Sequence, residues 1–549
     1  MRIVLVFALA PALFVACGHD ASAPQDASLP GNDSGSNGPP DAALADTGPI
    51  HDGSIGVPRD GTVADATGEA SGALVDGGPP PPDGASPGSA SVLEHHNSPT
   101  RNGLYIDQAF TRTAAAGVHR DATFNPGITG DIRAQPLFVD GGSTGTDLLL
   151  VATEENWVYA LDSTGAALWS KQLAAPVPKA DLPCGNIDPM GITGTPIVDA
   201  TSRTMYLDAM TTPDGGTTKK HLVYALSIDT GKVVAGWPVD VSAAVHGFTS
   251  NVQGQRGALA LVGGRLLVPY GGHAGDCGNY NGWVVAIPVA NPAGVQAWST
   301  PASKGGIWAV GGVASDGTSA FVSTGNTNSP AKWGGGEAVI RLTGGATFSG
   351  NTTDYFAPPN WQQLDGRDGD VGSSNPVIFD LPGNAPPRLV FQIGKPTTAW
   401  LLDPANLGGV GSGLVAADNV TTGESNTAPV AYTTPTGTFV AFQGPCPGGG
   451  DITALEITPG KPPAVHAGWC ATQNGEGALA VSSTDGVSNF VVWGLAGNRL
   501  RAFDGETGAA IFDGGSATDT TKNVSRFQSP MIAKGYVYVG ANGQLSRFH

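Results

Sequence analysis

The chain has 549 residues, of which 81 are Gly and 43 are Pro, and only 13% are charged. This composition is typical of many short strands joined by tight turns, and it argues against a largely helical protein. The net charge of −19 comes without any cluster of basic residues, which argues against nucleic-acid binding.

The first residues have the features of an export signal. A Met-Arg start precedes an apolar run over residues 3–16 that is too short to span a bilayer. The run leads into Phe-Val-Ala-Cys at residues 14–17, which resembles a bacterial lipobox with Phe in place of the usual Leu. We therefore expect residues 1–16 to be a lipoprotein signal peptide and Cys17 to carry the lipid. The alternative is simple secretion after cleavage at a small residue.

The next segment is of low complexity and strongly acidic. Residues 18–90 contain eleven acidic residues against one basic residue, with almost no aromatics. Such a segment cannot bury enough apolar surface to fold, and its like charges keep it extended. We predict that residues 17–90 form a disordered acidic tether in the bacterial cell envelope, attached to the membrane only through the lipid. The folded part then spans residues 91–549.

A repeated hairpin is the most informative feature of the folded part. Its first copy, Val-Tyr-Ala-Leu-Asp-Ser-Thr-Gly-Ala-Ala-Leu-Trp, spans residues 158–169, and further copies cover 223–237, 283–298 and 500–512. Each copy reads as an alternating strand, an Asp-x-Thr-Gly turn and a returning strand. The aromatic residue that closes most copies offers a flat surface for the neighbouring sheet. Such self-similarity predicts a repeat architecture.

The repeats predict an all-β protein, an eight-bladed β-propeller. The eight units begin near Ala134, Gly194, Gly247, Ile307, Ser374, Thr427, Gly477 and Gln528. Seven blades remain the alternative, because the fourth to sixth units are poorly marked. The eighth unit has only three strands, and we expect residues 122–125 near the chain start to supply the fourth and close the ring.

The four cysteines of the folded part are expected to lie in an oxidising compartment after export. Cys446 and Cys470 are expected to pair within one blade, and Cys184 and Cys277 between consecutive blades, although spacing alone leaves the connectivity open. No Cys-x-x-Cys-His sequence is present, so no c-type haem attachment is expected.

The repeat pattern Ala-x-Asp-x-x-Thr-Gly-x-x-x-Trp resembles the tryptophan-docking repeat of the quinoprotein alcohol dehydrogenase-like propellers, also called pyrroloquinoline-quinone (PQQ) repeats. The resemblance covers roughly the whole chain after residue 91. Further segments resemble a branch of exported proteins without assigned activity; they are residues 271–280, 359–364 and 368–373, and Lys395 followed by 400–403. The repeat marks contacts between blades and not chemistry, so it indicates the fold more strongly than an activity.

For an enzyme, the resemblance implies a quinone on the propeller axis, a stacking Trp, a Ca²⁺ held by Glu, Asn and Asp, and a catalytic Asp. The chain has no adjacent cysteine pair and no haem domain, and Asp368-Gly-Asp370 only echoes the Trp-Asp-x-Asp stretch of many such enzymes. Together these departures favour a non-catalytic protein. PQQ and Ca²⁺ are expected only under the alternative hypothesis of a dehydrogenase.

Asp368 and Asp370 are the candidates for that chemistry. Two carboxylates separated by one residue in a Gly-rich segment provide oxygen ligands of the kind that Ca²⁺ prefers. In the enzyme hypothesis one of them would be the catalytic base. The structural alternative, which we favour, is an Asp-rich turn that caps the innermost strand of the fifth unit.

A second group of polar residues is expected at one mouth of the ring. If Cys184 and Cys277 join, their neighbours come together near a small-ligand or Ca²⁺ site; these are Asn186, Asp188, Asp276 and Asn279. His273, in a Gly-Gly loop, is the best single histidine for this mouth. The favoured alternative is that these groups bond loop backbone around the disulfide.

The sequence thus indicates an exported, monomeric propeller that serves as a non-catalytic scaffold for an unidentified protein or small-molecule ligand. The alternative is a PQQ- and Ca²⁺-dependent alcohol or sugar dehydrogenase of the periplasm.

Overall fold

The computed structural model describes residues 90–142 and 145–549, which form short strands arranged in eight sheets. The sheets follow one another as the blades of a β-propeller, which confirms the all-β, eight-bladed prediction and excludes seven blades. The predicted signal peptide, Cys17 and all of the predicted tether except Ala90 lie outside the described residues. No helix among the described residues is long and apolar enough to cross a membrane.

The first four blades are antiparallel sheets built from consecutive strands, innermost first. Blade one contains Leu137–Val139, Leu148–Ala152, Trp157–Leu161 and Ala167–Gln172. Blade two contains Ile197–Asp199, Thr204–Thr211, Lys220–Ser227 and Val239–Asp240. Blade three contains Gln253–Gly254, Ala260–Val262, Arg265–Gly272, Trp283–Pro288 and Gln296–Ser299, the first two both pairing with the third. Blade four contains Ala314–Ser315, Ala320–Thr324, Ala338–Leu342 and Tyr355–Ala357, and Gly409–Val410 adds to it in parallel.

The remaining blades follow the same plan. Blade five contains Val377–Asp380, Arg388–Gln392, Ala399–Leu402 and Val415–Ala417. Blade six contains Val430–Thr434, Gly437–Gln443, Ile452–Thr458 and Ala464–Ala471. Blade seven contains Ala480–Ser483, Val491–Ala496, Arg499–Asp504 and Ala510–Phe512, and Leu104–Ile106 lies parallel to its first strand. Blade eight contains Met531–Ala533, Tyr536–Ala541 and Gln544–Phe548.

Helices are short and lie in connections. The α-helices are Arg112–Ala116, Val241–Ala244 and Trp361–Asp365. The 3₁₀ turns are His95–Asn97, Lys179–Asp181, Ser250–Val252, Thr352–Asp354, Val371–Ser373 and Ala517–Asp519. These helices have at most five residues each, so the sheets define the architecture.

The repeated hairpin forms as its turn chemistry predicts. Asp162 accepts hydrogen bonds from the backbone N–H of Thr164 at 2.8 Å and of Ala166 at 3.0 Å. Gly165 takes a positive φ of 89°, which it adopts without a Cβ penalty. The Asp therefore fixes the reversal, and the glycine allows the chain to return as the outer strand.

The aromatic residues of the repeat join neighbouring blades. Trp169 of blade one donates its indole N–H to the carbonyl oxygen of Ile228 in blade two at 2.7 Å. Its ring lies against Gly231, where an added Cβ would be 2.7 Å from the ring. Trp469 of blade six makes the equivalent 3.1 Å bond to Gly505 of blade seven. The apolar clusters likewise lie between neighbouring blades, for example between blades one and two.

The ring closes between the two ends of the described chain, as predicted, although the closing residues differ. His119 and His549 exchange backbone hydrogen bonds of 3.1 Å in both directions, and Asp121 N–H donates to Arg547. The closing segment is therefore residues 119–121 and not the expected 122–125. Asp121 ends it, because its carboxylate accepts from the N–H groups of Thr123 and Phe124 and turns the chain away.

A segment absent from our expectations fills the centre of the ring. Residues 91–107, which we call the axial strap, run along the innermost strands. Backbone hydrogen bonds join Val92 to Phe138, Leu93 to Val198, Pro99 to Ser315, Thr100 to Ile378, Asn102 to Ala431 and Gly103 to Val481, in blades one, two, four, five, six and seven. His95 Nε2 lies 3.2 Å from Ser529 Oγ of blade eight.

Arg101 completes the strap by reaching blade three. Its buried guanidinium donates to the carbonyl oxygen of Leu259 at 2.8 Å and of Gly311, in blade four, at 3.0 Å. It also forms a 2.6 Å ion pair with Glu94 of the strap itself. Each of the eight blades therefore has a hydrogen-bonding contact with the strap, which occupies the axis where an open channel would otherwise run.

Candidate functional site

One position of the repeat supplies most of the side chains at the bottom of a cleft. It lies four residues before each innermost strand, counted in blade three from Ala260, and the eight residues are Arg133, Thr193, Arg256, Val310, Ser373, Asn426, Glu476 and Phe527. All of them except Ser373 and Glu476 line the cleft or a side chamber at its base. Two residues further along the chain, a side chain contacts the strap: Gln135, which follows Arg133, accepts from His96 N–H at 3.1 Å. The lining residues therefore lie next to the strap, at the bottom of the cleft.

The cleft has a cavity volume of about 290 Å³ and is lined by loops of most blades. Its aromatic surfaces are Trp308 and Phe527, and Tyr280 stands at the side. Phe527 and Val310 pack with Ala428 and Ala478 in a small apolar cluster. Next to Val310, the carbonyl of Gly311 already bonds Arg101 of the strap. The cleft is therefore closed at its base by an apolar layer and by the strap.

Arg256 is the unusual residue of the cleft. Its guanidinium lies 5.9 Å from the ring centre of Trp308 and 5.3 Å from that of Phe527. Burial and the nearby Arg133 lower its pKa to about 10, so it remains charged at neutral pH. Among the described residues, no carboxylate and no hydrogen-bond acceptor pairs with it. A cation that lies near two rings and has no direct ion-pair partner is suited to contact an anionic ligand.

The two predicted carboxylates lie in this cleft, where they share one lysine. Lys395 Nζ lies 2.7 Å from Asp368 and 2.6 Å from Asp370. Asp370 is buried and also accepts the backbone N–H of Asn326 at 2.8 Å. Burial raises its pKa from the ordinary value, against the opposing effect of Lys395. The pair thus joins the loop before blade five to Lys395 and, through Asn326, to blade four.

Beside Asp370, Glu337 is a further buried carboxyl group. It accepts the N–H of Val371 at 2.7 Å, while its Oε1 has no hydrogen-bond partner among the described residues. Burial and the neighbouring charge of Asp370 raise its pKa to about 9. Glu337 is therefore protonated at neutral pH, and it adds no negative charge to the Asp370–Lys395 pair.

The structure contains both expected disulfides, Cys184–Cys277 and Cys446–Cys470, with Cα–Cα distances of 5.9 and 5.8 Å. The first of these joins the loops at the rim of the cleft. The second joins a loop of blade six to its outermost strand. Both fit a protein that folds in an oxidising compartment.

The predicted mouth residues are only partly brought together. Asn186, His273 and Asp276 line the cleft, and Tyr280 O–H donates to Asp276 at 2.6 Å. Asp188 instead accepts the backbone N–H of Lys179 in an adjoining surface groove. Asn279 is exposed and outside the cleft.

His273 is held by its surroundings. It lies 3.2 Å from the carbonyl oxygen of Asn251, and burial lowers its pKa to about 4, with a smaller effect from the charge of His221. It is therefore neutral at physiological pH. His95 and His96 are buried in the strap and are not part of the cleft lining.

Sequence reasoning did not assign Arg256, Trp308, Arg526 or Phe527 to the site. The signal that finds Arg256 and Phe527 is positional: four residues before each innermost strand. That register becomes visible only after the strand starts are known, because the eight residues at this position share no common chemistry.

The calcium-dependent quinone that the resemblance implies does not fit these residues. No group of three or more His, Cys, Asp or Glu side chains in the described part of the chain is arranged to hold a metal ion. The ammonium of Lys395 already occupies the position between Asp368 and Asp370 that a cation would take. We therefore derive no step through Ca²⁺ or PQQ.

The fold and cleft define an eight-bladed propeller with a strapped axis and a one-ended axial cleft. Its fold is that of the quinoprotein alcohol dehydrogenases, as the sequence repeats indicated. Quinohemoprotein alcohol dehydrogenase from Comamonas testosteroni matches 84% of this chain and 80% of its own with 14% identity and a TM-score of 0.56. At this identity the likeness establishes the fold alone.

Two other solved propellers are similar at lower scores. BamB from Moraxella catarrhalis matches 77% of this chain and 85% of its own with 13% identity and a TM-score of 0.34. The Dos1 propeller matches 80% and 96% with 9% identity and the same score. No family model and no curated protein matches the sequence.

Proposed function

We propose that this protein is a non-catalytic binding module of the bacterial cell envelope, with the axial cleft as its ligand site. The observation that carries the proposal is the combination of a roughly ligand-sized, one-ended cleft with a guanidinium at its base, that of Arg256, which has no direct ion pair or hydrogen-bond acceptor among the described residues. Trp308 and Phe527 supply apolar surface beside that charge.

The neighbouring groups support binding over catalysis. Asp368 and Asp370 are both engaged by Lys395, and Asp276 by Tyr280. Glu424, also in the lining, accepts from the side-chain amide of Asn426 at 3.3 Å, and no group of three or more metal-ligating side chains is found among the described residues. A site of this kind orients a ligand through charge and ring contacts without reacting with it.

Reconstitution tests this proposal against a PQQ- and Ca²⁺-dependent dehydrogenase. The purified protein is incubated with PQQ and Ca²⁺, and cofactor absorbance and dye reduction with simple alcohols and sugars are recorded. We expect neither stoichiometric uptake nor turnover. The control variant is Asp380→Asn, which changes an exposed carboxylate of blade five. Turnover that is abolished by Asp370→Asn and kept by Asp380→Asn would overturn the non-catalytic assignment.

The export part of the proposal is supported by the two disulfides and by the apolar N-terminal run. A Cys17→Ser variant expressed in a bacterial host should move from the membrane fraction to the soluble periplasmic fraction. Unchanged fractionation of that variant would contradict lipidation. Ser28→Ala is the matched control, because it changes a residue of the same N-terminal segment and leaves Cys17 and both disulfides in place.

A further inference from the structure

A small side chamber opens from the base of the cleft and concentrates positive charge. It has a volume of about 30 Å³ and is lined by Arg133, Arg256 and Arg526, with Asn186, Thr193 and Phe527 between them. This volume holds about two water molecules. Four of the residues also line the main cleft, so the two cavities are continuous.

Two of the three arginines are neutralised from outside the chamber. Arg133 lies 3.0 Å from Asp131 and 3.5 Å from Glu154. Arg526 makes a two-pronged ion pair with Glu476, with bonds of 2.5 and 2.6 Å. Each carboxylate thus compensates a guanidinium whose side chain reaches inward.

Arg256 is the third, and among the described residues it has no direct ion pair or hydrogen-bond acceptor, although Glu154 acts on it from a greater distance. Its guanidinium and that of Arg526 lie on the same ring, 5.3 and 5.7 Å from the centre of Phe527. The side-chain amide of Asn186 also has no hydrogen-bond partner in the described part of the chain. The chamber therefore offers fork-shaped and amide donors around one excess positive charge.

We propose that a compact oxyanion group, phosphate or sulfate, binds in this chamber against Arg256. Guanidinium groups match the oxygen geometry of such anions with paired hydrogen bonds, and partial burial strengthens them. The proposal rests on the binding function given above, because it names the chemical class of ligand for the same cleft. An anionic group in the chamber would leave the rest of its ligand beside Trp308.

The test is isothermal titration of the full-length protein with inorganic phosphate and sulfate, in sodium chloride of matched ionic strength. We expect saturable binding that Arg256→Met weakens at least about tenfold, the loss of one charge-assisted interaction. Arg388→Met is the matched control, because Arg388 is an exposed arginine paired with Asp380 on blade five. Arg256→Lys, which keeps the charge and loses the fork, should bind with intermediate affinity.

Phenyl phosphate distinguishes a free anion from the anionic group of a larger ligand. If phenyl phosphate binds more tightly than inorganic phosphate, and Trp308→Ala removes that difference in affinity, the ligand is an organic phosphate or sulfate whose flat part lies on Trp308. Equal affinity indicates the inorganic anion. No saturable binding of any of these anions, or binding that Arg256→Met leaves unchanged, overturns the proposal. These readouts are independent of quinone turnover, so failure here and failure of the non-catalytic assignment are separately visible.

Discussion

Single buried polar residues hold the hub of this propeller. His95 and His96 stack with ring centres 4.2 Å apart, and both are fully buried. His96 Nδ1–H donates to the carbonyl oxygen of Arg101 at 3.3 Å. Burial is the largest effect on the pKa of His96 and lowers it to about 4, and the charge of Arg101 acts in the same direction. The strap is therefore assembled around neutral imidazoles.

This arrangement predicts acid sensitivity to which His96 contributes together with His95, whose pKa burial also lowers. Between about pH 6.5 and 4 the unfolded chain binds a proton at His96 and the folded chain does not, so stability falls as pH falls, by about 1.4 kcal/mol per pH unit. A His96→Gln variant should lose less free energy of unfolding on acidification than the wild type, by that amount. Chemical denaturation at pH 6.5, 5.5 and 4.5 measures the difference.

The comparison of slopes is needed because other groups act in the opposite direction. The raised pKa values of Glu154 and Glu337 make the folded state gain protons in part of this range and so oppose the loss. They are common to both proteins and cancel in the difference. The exposed His466 provides the control variant, His466→Gln, which should keep the wild-type slope. A slope for His96→Gln equal to that of the wild type would refute the assignment.

At the scale of elements, local chemistry explains what the sequence predicted. The hairpins and their docking aromatics could be predicted because Asp162, Gly165 and Trp169 act within one turn of chain or on the next blade. The closing strand was placed a few residues late, since pairing with residues 547–549 is a contact across the whole chain length. Such contacts leave no periodic signal where they occur.

The axial strap could not be predicted for the same reason. Its backbone is irregular, with left-handed residues at His96, Asn97 and Arg101, and its partners are spread over all blades. Gly103, with φ of 69°, is required there because a Cβ would lie 2.5 Å from Val430 Cγ1. In isolation this stretch reads as a loop at the entry to the fold.

Some residues of the candidate site could also be predicted from the sequence, and others could not. Asn186 and Asp276 could be placed near each other because they flank cysteines that pair, and His273 was chosen for its Gly-Gly loop. Arg256 was missed because its importance comes from what is absent around it, a carboxylate partner, and only the assembled blades reveal that. The ligand class therefore follows from the structure and not from the repeat.

At the scale of the whole propeller, the strap closes the central channel at one end. Its backbone bonds satisfy the edges of innermost strands that would otherwise face an open channel. The same segment closes the cleft from below, so that a ligand enters and leaves by one face. Stability and binding geometry thus depend on a stretch that belongs to no blade apart from its parallel strand on blade seven.

Two deletions separate the strap from the chain that precedes it. Removing residues 20–89 should leave the melting temperature within about 2 °C of the full chain, since the hydrogen bonds described here begin at residue 90. Removing residues 20–107 also removes strap bonds to every blade, each worth about 1 kcal/mol, and should lower the melting temperature by about 10 °C or more. A synthetic peptide of residues 90–107 added to the longer deletion should restore part of the loss, because the axial groove keeps its hydrogen-bonding edges. Equal melting temperatures for the two deletions would mean that the blades hold the ring without the strap.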